Sequence, residues 1–103
     1  MATRKEQLEA MLAEEPRDAE LRYMLAMEYL SEGDDEGALR CFYELFDLAP
    51  DYPPAYHMAG RVLHRLGRLE EAREVLSRGI PVAAKRHDTH AVGEMQELMD
   101  NLE

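Results

Sequence analysis

A spacing of 34 residues recurs along the chain and constrains its fold more than any other feature. Gly33 returns as Gly67, Ala38 as Ala72 and Pro16 as Pro50. Between these anchors the residue types also agree: Phe42 answers Leu76, Leu25 answers Ala59, and Ala26 answers Gly60. One step backwards, Phe42 maps onto Leu8 and Leu45 onto Met11. A chain with such a period repeats one supersecondary unit, which buries its apolar face by stacking on its neighbours.

The unit is helical. Alanine, leucine, glutamate, arginine and methionine dominate the composition, and all are good helix formers. No segment alternates apolar and polar residues in a β-branched background, so no strand is expected. Thr3 and Glu6 have the spacing of a capping box. Leu8, Met11 and Leu12 follow as an apolar stripe, and Pro16 stops that helix. A second helix over about 18–32 carries Leu21, Met24, Leu25 and Tyr29, and Gly33 suits the left-handed conformation that ends a helix. Asp34 or Asp35 caps a third helix bearing Ala38, Phe42, Leu45 and Leu48. Pro53 and Pro54 open the fourth helix and Gly67 ends it. The fifth carries Ala72, Val75, Leu76 and Ile80, and Pro81 is expected to kink or shorten it. A last helix, capped by Asp88, carries Ala91, Val92, Met95, Leu98, Met99 and Leu102, but leaves the 34-residue frame. The small residues Ala26, Ala38, Gly60 and Ala72 allow helix backbones to approach closely, and Tyr29, Phe42, Tyr56 and Leu76 fill the gaps beside them.

Antiparallel helix pairs with this period and these residues resemble the tetratricopeptide repeat. In residues 19–52 the family's small residue looks like Ala26, its aromatic like Tyr29 and its bend glycine like Gly33. The second-helix alanine looks like Ala38, the second aromatic like Phe42 and the closing proline like Pro50. In residues 53–86 the matching positions are Tyr56, Gly60, Gly67 and Ala72. Arg22 departs by replacing a bulky aromatic, and Leu45 and Gly79 by standing where alanine is usual. The resemblance implies an all-α, TPR-like solenoid of antiparallel helix pairs. It would be a single domain over 1–103 with about six helices: a half repeat at 3–16, repeats at 19–52 and 53–86, and a C-terminal capping helix at 88–102.

The resemblance also implies a protein–protein interaction module, an adaptor or scaffold, holding a peptide or protein segment in a concave groove lined by the first helix of each repeat. By position, the groove residues are Glu20, Tyr23, Met27, Leu30 and Ser31 from the first repeat, and His57, Arg61, His64 and Arg65 from the second. Spacings of three, four and seven put each set on one helical face. The first set is largely apolar and adaptable, the second basic. Together they suit a peptide with an acidic segment beside an apolar anchor. The plainer alternative is a solubilising basic face with the apolar residues covered by the last helix. Tyr23, Met27 and His57 occupy positions where some members hold a terminal carboxylate with lysine and asparagine, so no such clamp is expected. The alternative function is self-assembly into homo-oligomers by stacking at the repeat ends, through Met95, Leu98, Met99 and Leu102.

Charge narrows the partners. The net charge is −10; residues 1–52 carry 5 basic and 14 acidic side chains, and residues 53–103 carry 7 and 8. Such a chain repels phosphate backbones and anionic membranes, so neither nucleic acid nor membrane is an expected partner. No apolar stretch has the length of a signal sequence core or a membrane span. Cys41 is the single cysteine, which excludes an intrachain disulfide and fits a reducing cytoplasm. No enzymatic activity is expected: Cys41, beside Phe42, reads as a small filler, and there is no phosphate loop or serine elbow. The acidic pairs Asp34-Asp35 and Glu70-Glu71 sit where helix dipoles favour negative charge. His57 and His64 are seven apart and His87 and His90 three apart, with no companion ligands at zinc spacing, so neither metal nor cofactor is expected.

Overall fold

The computed structural model describes residues 1–102, and its helix boundaries follow the local capping chemistry. The order is α1 (Arg4–Glu14), α2 (Ala19–Ser31), α3 (Asp35–Leu48), α4 (Pro53–Arg65), α5 (Leu69–Lys85) and α6 (Thr89–Asp100), with no strand among the described residues. Thr3 and Glu6 form the reciprocal capping box: Glu6 N donates to Thr3 Oγ1 at 3.1 Å, and Thr3 N donates to Glu6 Oε1 at 2.9 Å. Asp18, Asp34 and Asp88 cap α2, α3 and α6 by accepting from the amides of Leu21, Gly37 and Ala91. Pro53 occupies the first turn of α4, where its missing N–H costs nothing.

Three helices end in the same double hydrogen bond. Gly33 N donates to Leu30 O and Asp34 N to Tyr29 O; Gly67 and Arg68 repeat this with His64 O and Leu63 O; His87 and Asp88 repeat it with Ala84 O and Ala83 O. This closure needs a left-handed residue at its centre. Gly33 and Gly67 supply it at φ 77° and 76°, as their sequence positions predict. The third closure is made by His87 at φ 58°, the one left-handed non-glycine among the described residues.

The chain forms two compact units, residues 1–49 and 50–103. In the first, α1 packs on α2 and α2 on α3, around Leu8, Ala26, Ala38, Phe42 and Leu45, all fully buried. In the second, α4 and α5 pair and α6 lies against both, around Ala59, Val62, Leu63, Ala72, Leu76, Ala83 and Met95. The small residues do what close packing requires. A Cβ on Gly60 would lie 2.6 Å from Leu76 Cδ2, and one on Gly37 would lie 2.6 Å from Tyr29 Cδ1. Gly79, which departs from the usual alanine, is explained the same way: a Cβ there would collide with Tyr56 Cβ of α4 and sit 2.8 Å from Met95 Sδ of α6. No helix among the described residues is long and apolar enough to cross a membrane.

Two local expectations meet a different outcome. Of the kink or shortening expected at Pro81, the shortening does not occur: α5 runs through it for 17 residues. Pro81 and Ser77, whose carbonyl it leaves without a helical donor, are both exposed residues, so the lost hydrogen bond falls outside the core. Met11 does not join Leu8 and Leu12 in the core; it is 49% exposed. Only one side of α1 meets α2, and Met11 lies off that side.

Two substitutions test these contacts. Gly79→Ala should destabilise the protein by about 1–3 kcal/mol in denaturant unfolding, because the methyl overpacks the junction of α4, α5 and α6. His87→Gly should stabilise it by about 0.5–1 kcal/mol, because glycine enters the left-handed region without the side-chain penalty.

Candidate functional site

The residues singled out in the sequence fall into two settings. On α2, Glu20 is exposed in the first turn, Tyr23 and Leu30 are half-buried, and Met27 is 37% exposed. Tyr23 is held by Phe42 of α3, whose ring centroid lies 6.1 Å away in a tilted arrangement. Ser31 is exposed and donates back to Glu28 O at 2.8 Å.

On α4 the four basic candidates divide. His57 and Arg61, one turn apart, line a cleft of about 390 Å³ whose other wall is α6, through Glu94, Glu97, Leu98 and Asn101. His64 and Arg65 are exposed in the last turn of α4 and do not line this cleft. Positive charge is favoured there by the helix dipole alone. The basic face read from α4 is therefore opposed, at His57 and Arg61, by carboxylates of the last helix. The sequence marks α6 only as a capping helix, whereas in the structure it is the second wall of this cleft. The 94, 97, 98, 101 spacing does mark a single helical face.

Glu94 is shared: its Oε1 lies 3.2 Å from His90 Nε2 and 3.9 Å from His57 Nδ1. Burial pushes the His57 pKa below its ordinary 6.5, with Arg61 and His90 adding to the depression and Glu94 opposing it. Arg61 Nη1 lies 3.8 Å from Met58 Sδ, a weak acceptor. Of the apolar residues offered for stacking, Met95 is fully buried and Leu102 is 8% exposed, while Leu98 and Met99 are half-buried.

The first unit has a smaller cleft of about 340 Å³, lined by Arg17, Arg22, Glu44, Asp47 and Leu48. Arg22 replaces the family's aromatic with ties of its own, donating to Glu44 Oε1 at 3.1 Å and to Pro16 O at 2.8 Å. Its Nε is buried without a hydrogen-bond partner. Cys41 is buried, and burial raises its thiol pKa to about 11, so it stays protonated at neutral pH. No three histidine, cysteine or acidic side chains among the described residues are placed to hold a metal ion.

Helical hairpins closed by left-handed turns and packed through small residues define a helical-repeat protein. The chain belongs to the tetratricopeptide repeat family: two models of that repeat match it, one over residues 29–92 and the other over residues 1–52. TPR repeat-containing protein PA0015 of Pseudomonas aeruginosa is 32% identical over 98 residues, covering 95% of this chain and 93% of that protein. The solution structure of a tetratricopeptide repeat domain protein from Salinibacter ruber matches with a TM-score of 0.80 at 33% identity, over 85% of this chain and 89% of its own. Protein BPP2914 from Bordetella parapertussis, also solved in solution, matches with a TM-score of 0.82 at 30% identity, over 99% and 89%.

The depressed His57 pKa gives a pH dependence. The unfolded chain takes up this proton near pH 6.5, before the folded one does, so the stabilisation is present above pH 6.5 and is lost as pH falls below it. Melting followed by circular dichroism should show wild type losing more stability than His57→Gln between pH 7 and pH 5.5. Equal losses would contradict the assignment.

Proposed function

We propose that this chain is an adaptor that binds a peptide or protein segment through side chains left accessible on its helices, with candidate contacts on α2 in the first unit and on α4 in the second. Tetratricopeptide repeat domains generally bind proteins or peptides, and this family membership supports the reading. The contact residues are Glu20, Tyr23, Met27 and Leu30 on α2, and His57, Arg61, His64 and Arg65 on α4. The observation that carries it is Met27: a large apolar side chain left 37% exposed, flanked at one turn's distance by the half-buried Tyr23 and Leu30. A flexible thioether beside an aromatic suits apolar anchors of varied shape. Arg61 supplies charge recognition on α4. The lone buried thiol of Cys41 suits work in a reducing cytoplasm.

The test is affinity capture from the native host with wild type, Met27→Asp and Arg61→Glu. Arg61→Glu, at an exposed position, should stay within about 0.5 kcal/mol of wild type in melting, and Met27→Asp, at a partly covered helical position, should remain folded at a cost of about 1 kcal/mol. A specific partner retained by wild type and lost by both variants is the expected result. Full retention by both would remove these faces from the binding surface.

A further inference from the structure

We propose that the cleft between α4 and α6 takes an extended peptide segment whose side chains alternate between acidic and basic. This deepens the adaptor reading and rests on it. The lining is amphoteric: His57 and Arg61 form one wall, and Glu94, Glu97, Leu98 and Asn101 the other. The walls meet across the cleft only where Glu94 lies 3.9 Å from His57; Arg61 on one wall and Glu97 on the other stay unpaired among the described residues. Glu94 is turned to His90 and His57. Among the described residues the one polar contact of Arg61 is with the Met58 thioether, and no ion pair involves Arg61 or Glu97.

An extended chain points successive side chains to opposite sides. Lying along the cleft, it presents every second residue to the α4 wall and the others to the α6 wall. The α4 wall favours a carboxylate and the α6 wall an ammonium or guanidinium. An all-acidic segment meets Glu97 and is also repelled by the net charge of −10. An all-basic segment meets Arg61. Alternation satisfies both walls, and the mismatched charges reject the alternatives. The Asn101 amide can both donate to and accept from the peptide backbone.

The test is an NMR titration of the full ¹⁵N-labelled chain at low salt. The probes are acetylated, amidated hexapeptides of alternating glutamate and lysine, of glutamate alone and of lysine alone. The alternating peptide should shift the amides of Arg61, Glu97, Leu98 and Asn101. Arg61→Glu should weaken it roughly tenfold or more. The double variant Arg61→Glu with Glu97→Arg should restore binding, because the peptide slides by one residue to meet the exchanged walls. Three results overturn the proposal: the glutamate peptide occupying this cleft as tightly, Arg61→Glu leaving the affinity unchanged, or the α4 and α6 amides staying still. If those amides stay still while affinity capture still depends on Arg61, the adaptor reading stands and the alternating chemistry falls.

Discussion

Close approach of helix backbones at positions without room for a side chain is the constraint on which the rest of the second unit depends. Gly60 admits Leu76 against α4, and Gly79 admits both Tyr56 of α4 and Met95 of α6. Gly79 therefore sets the separation of all three helices at one point. Tyr56 is held there on other sides as well: its hydroxyl donates to Pro50 O at 2.7 Å, and the Arg78 guanidinium lies 5.7 Å from its ring centre. The next residue is His57, and Arg61 follows one turn later. Packing around one glycine thus positions the α4 wall of the cleft, and through Met95 it positions the α6 wall too. In the first unit Gly37 plays a comparable part, fitting beneath Tyr29 next to the Asp34 cap.

Most of the fold was legible because its signals are local or strictly periodic. The capping box at Thr3, the caps at Asp34 and Asp88, and the left-handed Gly33 and Gly67 each depend on a few neighbouring residues. The features that were not legible depend on tertiary surroundings. Pro81 reads as a kink or an early stop until α5 is seen to run through it, with Pro81 and Ser77 both exposed. His87 makes the same turn as Gly33 and Gly67, but nothing in its identity announces a left-handed backbone. Gly79 looks like a lapse from alanine until Tyr56 and Met95 are seen against it.

The candidate site was half legible. His57 and Arg61 follow from their place on the first helix of the second repeat. Their opposing wall was hidden by a slip in register. α2 and α4 begin at Ala19 and Pro53, 34 residues apart, whereas α6 begins at Thr89, 36 residues after Pro53. The added length lies in α5, with 17 residues against 14 in α3. Shifted by 36, Arg61 corresponds to Glu97 and Arg65 to Asn101. α6 then reads as a further first helix, with Glu97 carrying the opposite charge at the position equivalent to Arg61. On α4, His64 and Arg65 are a separate case, since a helix C-terminus favours basic residues without a ligand.

Contact between Gly79 and its two neighbours is the most direct thing to measure. Nuclear Overhauser spectra of the folded protein should show strong cross-peaks from the Gly79 α-protons to the Tyr56 β-protons and to the Met95 methyl group. A folded sample in which either set is missing would mean that α4, α5 and α6 do not converge at this glycine, and neither the packing nor the cleft would have the described form.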